Sequence, residues 1–144
     1  MNFNTIEKIA LSILFFQIAW VLYYYTQLPE SIAIHFNSAG NADGWGSKIY
    51  LFLMPVISIG NFALIKWAKS LGKYNTHKPA DPKEMEKMVD HINLSCQLIF
   101  AIISFQMVRT ALSTTDGLGG WVFPIFLILI AYPFIFYYRA TKGS

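Results

Sequence analysis

The sequence predicts an all-α fold: an integral membrane four-helix bundle, with both termini in the cytoplasm and a structured outer loop between helices one and two. Three observations support this prediction. Apolar residues make up 55% of the 144 residues and charged residues only 13%, whereas an ordinary soluble domain is about 25% charged. The chain contains four long apolar runs, and most basic residues lie in the termini and the connection that would share one side of the membrane. A soluble chain this short could not bury so much apolar surface.

The four apolar runs have the length of membrane spans and form a single domain over residues 1–144. Each run is 17 or 18 residues long, which corresponds to roughly 26 Å of helix and lies at the short end of what crosses a bilayer. Tyrosine and tryptophan flank the runs, as is typical of the membrane–water interface. The predicted spans are Ile9–Tyr25, Ile49–Ile65, Ile92–Val108 and Trp121–Tyr138.

Basic residues predict the orientation. Of the 11 lysines and arginines, nine lie near the termini or in the connection 66–91, and only Lys48 and Arg109 lie on the other side. Because positively charged connections stay in the cytoplasm, we expect both termini and the loop 66–91 there. The loop 26–47 is then on the outer face. The formal charge of +3 gives no indication of a nucleic-acid partner.

A helix start signal lies within the cytoplasmic connection. Asp81 is suited to the N-cap, Pro82 to the first helical position, and Glu84 to the third. The third helix is therefore predicted to begin near Pro82 and to extend two to three turns beyond the membrane.

The third span carries a stripe of polar residues at helical spacing. The stripe comprises Asp90, Asn93, Gln97 and Ser104. Residues spaced by three and four share a helix face, and polar groups in hydrocarbon must be satisfied within the protein. We expect this face to point into the bundle, with Gln17 and Asn61 as partners. It could hold helices together or line a path for a ligand or ion. Asp90, at the predicted boundary, is expected to contact water.

The 22-residue outer loop is not composed like an ordinary connector. Ile32, Ile34 and Phe36 alternate with more polar or smaller residues, which is the pattern of a short strand. The segment 37–48 that follows is rich in glycine, asparagine and aspartate, which favour tight turns. These patterns predict a hairpin-like cap over the helix ends.

The polar side chains of this loop do not form a recognisable catalytic or metal motif. His35 and Asp43 supply too few ligands for a stable zinc site, which uses three or four protein ligands. Ser38 and Ser47 are potential nucleophiles, but neither lies in the elbow motif typical of hydrolases. We therefore expect no enzyme activity, metal or cofactor. His35 and Asp43 could hold the loop's shape through backbone hydrogen bonds, or they could bind a ligand together with Trp45.

The stretch from Leu28 to Lys48 reads Leu-Pro-x-x-Ile-x-x-His-Phe-Asn-x-x-Gly-x-x-Asp-Gly-Trp-Gly-Ser-Lys. It resembles a bacterial membrane family, the domain of unknown function 1648, which also forms the N-terminal part of SdpI-type immunity proteins. Such proteins protect a cell from its own secreted toxic peptide and relay the toxin's presence to a repressor. The resemblance implies a multi-pass protein of the bacterial cell membrane. The residues of this chain that occupy the motif positions of the family are His35, Asn37, Gly40, Asp43, Gly44, Trp45 and Gly46.

The SdpI-type proteins carry further transmembrane helices after this domain, so the resemblance implies family membership more strongly than immunity. The leading hypothesis is a sensing protein that binds an amphipathic peptide, such as a secreted toxin, or a lipid-like molecule through the outer loop and upper bundle. A second is a small transporter or ion-conducting unit, which would require a homo-oligomer. A third is an accessory subunit that docks a cytoplasmic regulator on the start of helix three. The lipid bilayer is the one partner that all three share.

Overall fold

The computed structural model describes residues 3–72 and 82–142, and within them it has four long helices and one two-stranded sheet. The elements in chain order are α1 (Thr5–Tyr25), β1 (Ser31–Phe36), β2 (Ala42–Ser47), a 3-10 helix (Lys48–Phe52), α2 (Leu53–Gly72), α3 (Pro82–Ala111) and α4 (Val122–Lys142). The predicted all-α fold is confirmed, with the hairpin as its β element.

All four helices are long and apolar enough to cross a membrane. Large apolar side chains point away from the protein, with Phe15 74% exposed and Leu127 69% exposed. A water-soluble protein rarely exposes a contiguous apolar surface of this kind. The outer surface of the bundle therefore suits hydrocarbon.

The helices extend beyond the predicted spans at the end that carries most of the basic residues, whereas α2 begins at Leu53, after the 3-10 helix. α2 continues to Gly72, and α3 begins at Pro82, the predicted start. Asp81, the predicted N-cap, lies outside the described residues, as do Lys73 and Lys78. The predicted spans stopped at the first charged residue, whereas a helix can continue past the bilayer surface.

α3 is the central helix of the bundle. It packs against α1, α2, α4 and β1, whereas α1 and α4 make little contact with each other. Asn4 bonds Asp90 near the starts of α1 and α3, and Gln17 bonds Ser104 further along both helices. These two contacts show that α1 and α3 run parallel. α1 and α4 thus both pack against α3 and leave a gap between them.

The hairpin between α1 and α2 has an irregular register. β1 and β2 are antiparallel, with a register shift between Ala33 and His35. As a result, Ile32 and Ala33 are both buried, whereas Ile34 is 39% exposed. The strand prediction is confirmed, but the simple alternation of Ile32, Ile34 and Phe36 is wrong. Ile34 is the extra residue of a β-bulge. A second register shift, between His35 and Phe36, restores the pairing, so Phe36 packs against the same apolar cluster as Ile32.

Two apolar clusters hold the bundle together. The first lies beneath the hairpin, at what we call the hairpin end, and contains Val21, Leu28, Ile32, Leu51, Met107 and Val108. The second contains Ala10, Leu14 and Phe62. It lies towards the opposite end, which we call the lysine end because Lys66 and Lys69 are located there.

Candidate functional site

The turn of the hairpin is built by Asn37 and Gly40. The Asn37 side-chain Oδ1 accepts hydrogen bonds from the backbone N–H groups of Ala39 (2.9 Å) and Asn41 (3.1 Å). The backbone N–H of Gly40 donates to the Asn37 carbonyl at 2.8 Å, and Gly40 has φ +83°. Only glycine adopts this left-handed conformation without a steric cost. Asn37 and Gly40 therefore shape the turn.

The tip of the hairpin is docked on the loop between α3 and α4. Asn41 and Gly117 form an isolated antiparallel bridge, and the Leu118 N–H donates to the Gly40 carbonyl at 2.8 Å. The loop is in turn held by α3, because Gln106 Nε2 donates to the Leu118 carbonyl at 2.6 Å. A β1–β2 hairpin alone would be marginally stable. These contacts fix it to the rigid bundle.

Gly44 and Gly46 make room for the side chains of β1. A Cβ added at Gly44 would lie 2.8 Å from the His35 Cβ, and one added at Gly46 would lie 2.6 Å from the Ile34 Cδ1. The motif glycines therefore let the side chains of His35 and Ile34 lie close to the backbone of β2.

His35, Asp43 and Trp45 are the exposed members of the motif. His35 Nδ1 lies 2.5 Å from Asp43 Oδ1, and their side chains are 70% and 42% exposed. Trp45 is 60% exposed. The expectation that His35 and Asp43 bond the backbone is corrected here, since the two side chains pair with each other. The hairpin thus presents an exposed indole and an exposed His35–Asp43 pair on a fixed surface.

The base of the hairpin is closed by Lys48. Its backbone N–H donates to the Glu30 carbonyl at 2.9 Å, and its Nζ lies 2.9 Å from Glu30 Oε1. The Lys48 side chain is only 16% exposed. Lys48 therefore has a structural partner in addition to its predicted role in orientation.

The polar stripe of α3 points into the bundle, as predicted. Gln17 Nε2 donates to Ser104 Oγ at 2.8 Å and to the Phe100 carbonyl at 3.1 Å. Gln97 is fully buried, and its Nε2 donates to Asn93 Oδ1 at 3.4 Å. These hydrogen bonds join α3 to α1 and α2, although Gln17 Oε1 and Asn93 Nδ2 have no partner among the described residues.

Ser58, rather than the predicted Asn61, is the residue of α2 that bonds the polar stripe. The Ser58 hydroxyl donates to Gln97 Oε1, and Gln97 Nε2 donates to the Ser58 carbonyl at 3.1 Å. Asn61, one turn further along α2, lies beside the Cys96 thiol. A three-residue difference in position along α2 decides which polar side chain reaches the stripe, and the sequence does not show this difference.

A buried ionic network at the lysine end was not predicted. Glu7 Oε1 lies 2.7 Å from Lys66 Nζ and 3.0 Å from Lys69 Nζ, and Lys69 Nζ lies 2.5 Å from Asp90 Oδ1. Asn4 Nδ2 donates to Asp90 Oδ2 at 2.6 Å. Asp90 is 3% exposed, so the expectation that it contacts water is wrong. Asn4 and Glu7 also form the capping box of α1, a signal that is visible in the sequence.

The described residues contain no group of three or more His, Cys, Asp or Glu side chains placed to hold a metal ion. The hairpin carries one imidazole and one carboxylate at its exposed pair. The groups that this surface presents are an indole, an imidazole–carboxylate pair and apolar side chains.

The fold and this surface define a class: a multi-pass membrane protein whose helical bundle carries a docked hairpin. Residues 12–59 match the family described as "Domain of unknown function (DUF1648)". The match covers most of α1, the whole hairpin and the start of α2, which is less than half of the chain, and it confirms the resemblance seen in the sequence. No curated protein and no solved structure matches the chain.

Proposed function

We propose that this protein is a membrane sensor that binds an amphipathic peptide or a lipid-like molecule through the hairpin and the adjoining end of the bundle. The observation that carries the proposal is the exposure of Trp45 on a hairpin that is fixed in place. The loop before α4 holds its tip, the apolar cluster around Ile32 holds its buried face, and Lys48 closes its base. A rigid aromatic side chain offers a large contact area at a small entropic cost. Such side chains are common centres of binding energy.

The neighbours of Trp45 suit an amphipathic ligand. Ile34 is 39% exposed and Tyr50 is 50% exposed, and both side chains lie beside Gly46, the residue that follows Trp45. The His35–Asp43 pair supplies polar groups at the same strands. A peptide with one apolar face and one polar face has groups complementary to both.

The resemblance to SdpI-type proteins suggests that the ligand is a secreted peptide and that binding protects the cell. This immunity role rests on the shared DUF1648 domain alone. The orientation predicted from the basic residues would place the hairpin on the outer face, where such a peptide arrives.

The transport alternative has less support. The polar side chains Gln17, Asn93, Gln97 and Ser104 form hydrogen bonds with one another or with nearby helices. Side chains that line an ion path must instead be available to the ion.

A survival assay tests the proposal. A toxin-sensitive bacterium that expresses the protein is challenged with concentrated secretions of the source organism. We expect protection by the wild-type protein, loss of protection with Trp45→Ala, and retained protection with Trp67→Ala. Trp67 is the matched control because it is also 60% exposed but lies on α2, towards the lysine end. Equal survival with all three variants at equal membrane abundance would contradict the proposal.

A further inference from the structure

Gln106 is a buried glutamine of α3 that is separate from the polar stripe. It is 1% exposed, and its Nε2 donates to the carbonyl of Leu118, in the loop before α4, at 2.6 Å. Its Oε1 has no hydrogen-bond partner among the described residues. Gln97, by contrast, uses both ends of its amide within the stripe, in bonds with Ser58 and Asn93. The amide of Gln106 therefore bonds the loop, whereas that of Gln97 bonds the bundle.

Thr110 holds the same loop from the same face of α3. Residues that are four apart share a helix face, and Thr110 is buried one turn after Gln106. Its Oγ1 donates to the carbonyl of Gly117 at 3.4 Å. Two consecutive carbonyls of the loop, those of Gly117 and Leu118, thus accept hydrogen bonds from α3.

These two loop residues also hold the tip of the hairpin. The N–H of Leu118 donates to the carbonyl of Gly40 at 2.8 Å, and Gly117 forms the bridge with Asn41. Leu118 is therefore held by α3 through its carbonyl and holds the hairpin through its N–H. A chain of hydrogen bonds runs from Gln106 through Leu118 to Gly40. A change at Gln106 can reach the hairpin without altering any exposed residue of it.

The unpartnered Oε1 of Gln106 separates the docking of the loop from the packing of the bundle. A buried acceptor without a donor is destabilising, and a leucine of similar size would fill the same space without this cost. Apolar packing therefore does not account for a glutamine at this position. The hydrogen bond to Leu118 does account for it.

We propose that Gln106 is a positioning residue, which fixes the loop before α4 and, through this loop, the hairpin that presents Trp45. The inference deepens the proposed function, and its ligand-binding part rests on that function. Because Gln106 is buried, it does not touch a ligand at the hairpin surface. It acts by preorganisation, since a surface that is fixed before binding loses less conformational freedom when the ligand binds.

Hydrogen exchange in detergent, measured by mass spectrometry without a ligand, tests the positioning. In Gln106→Leu we expect the segments 37–47 and 114–121 to exchange about fivefold faster, the factor that corresponds to one hydrogen bond of average strength. The matched control Gln97→Leu removes an equally buried glutamine of α3 and should leave both segments unchanged. Gln106→Leu should unfold near the wild-type temperature, because it removes one unpartnered acceptor, Oε1, and leaves another, the Leu118 carbonyl.

Thr110→Val is a second and milder variant. Valine has the shape of threonine but lacks the hydroxyl, and the bond that it removes is 3.4 Å long, compared with 2.6 Å for that of Gln106. Since a longer hydrogen bond is weaker, we expect a smaller increase in exchange in the same two segments. Wild-type exchange in both variants would overturn the positioning role, as would an equal increase in Gln97→Leu.

Depletion of toxic activity from the secretions tests the consequence for ligand binding. Membrane vesicles with Gln106→Leu should deplete it less than vesicles with equal amounts of Gln97→Leu, by up to about fivefold, because affinity falls with the fraction of protein that is competent to bind. Faster exchange with undiminished depletion would overturn the role of Gln106 in binding. Equal depletion by wild-type and Trp45→Ala vesicles would instead contradict the proposed function, and the exchange measured without a ligand would still decide whether Gln106 positions the hairpin.

Discussion

The backbone N–H of Leu118 donates a 2.8 Å hydrogen bond to the carbonyl of Gly40, which joins the loop before α4 to the tip of the hairpin between α1 and α2. This contact ties together two connections that are distant in the chain. Together with the Asn41–Gly117 bridge, it makes the hairpin part of the bundle. A hairpin fixed in this way can present the same surface to a ligand at every encounter.

Gly117→Ala should undock the hairpin. The added Cβ would lie 2.1 Å from the Gly40 carbonyl oxygen, so the two backbones must separate. Overpacking of this kind costs about 1–3 kcal/mol, and we expect a corresponding loss of thermal stability in detergent. Gly120→Ala is the control, because its Cβ meets nothing within 4 Å. Equal stability of the two variants would contradict the docking described here.

Gly44→Ala should be more harmful than Gly46→Ala. At Gly44 the new Cβ meets the Cβ of His35 at 2.8 Å, whereas at Gly46 it meets the Cδ1 of Ile34 at 2.6 Å. The Cβ of His35 is fixed to the backbone, but the end of the Ile34 side chain can rotate away. Thermal unfolding of both variants checks the order, and a larger loss for Gly46→Ala would show that the strand contacts are misassigned.

Lys69→Met should destabilise the lysine end strongly. Lys69 is paired with the buried carboxylates of Asp90 and, together with Lys66, Glu7, and removing one partner of a buried ion pair costs about 3–5 kcal/mol. Lys87→Met, which removes an exposed pair with Glu84, should cost only about 0.2–0.5 kcal/mol. Thermal unfolding in detergent measures both, and similar losses would mean that the network is hydrated.

Gln97→Leu distinguishes bundle stabilisation from transport. Its hydrogen bonds to Ser58 and Asn93 are each worth about 0.6 kcal/mol in a membrane, so we expect a small loss of stability. Ion flux into proteoliposomes should not differ between this variant and the wild type. A flux in the wild type that Gln97→Leu abolishes would favour the transport alternative.

The sequence predicted the parts of the fold that follow local patterns. Apolar run length predicted the four helices, and the glycine-rich segment predicted the hairpin. Gly40 lies at its turn, whereas Gly44 and Gly46 lie in β2. The same reasoning identified Gln17 as a partner of the polar stripe, in which it bonds Ser104. These features depend on hydropathy, helical spacing and backbone preference, which are all readable along the chain.

The features that the sequence did not predict depend on how the helices pack against one another. The bulge turned Ile34 away from the core face that Ile32 and Phe36 share, and Ser58 rather than Asn61 reached Gln97. The network of Glu7 with Lys69 joins residues that are 62 positions apart. Such contacts are set by helix rotation and axial offset, which single-sequence patterns do not determine.

The central claim is that the hairpin surface at Trp45 captures the ligand, and depletion of toxic activity measures this capture directly. Membrane vesicles that contain equal amounts of wild-type, Trp45→Ala or Trp67→Ala protein are incubated with the secretions and removed. We predict that the wild-type and Trp67→Ala vesicles deplete the toxic activity and that the Trp45→Ala vesicles leave it in solution. Equal depletion by all three, or by none of them, would contradict the claim.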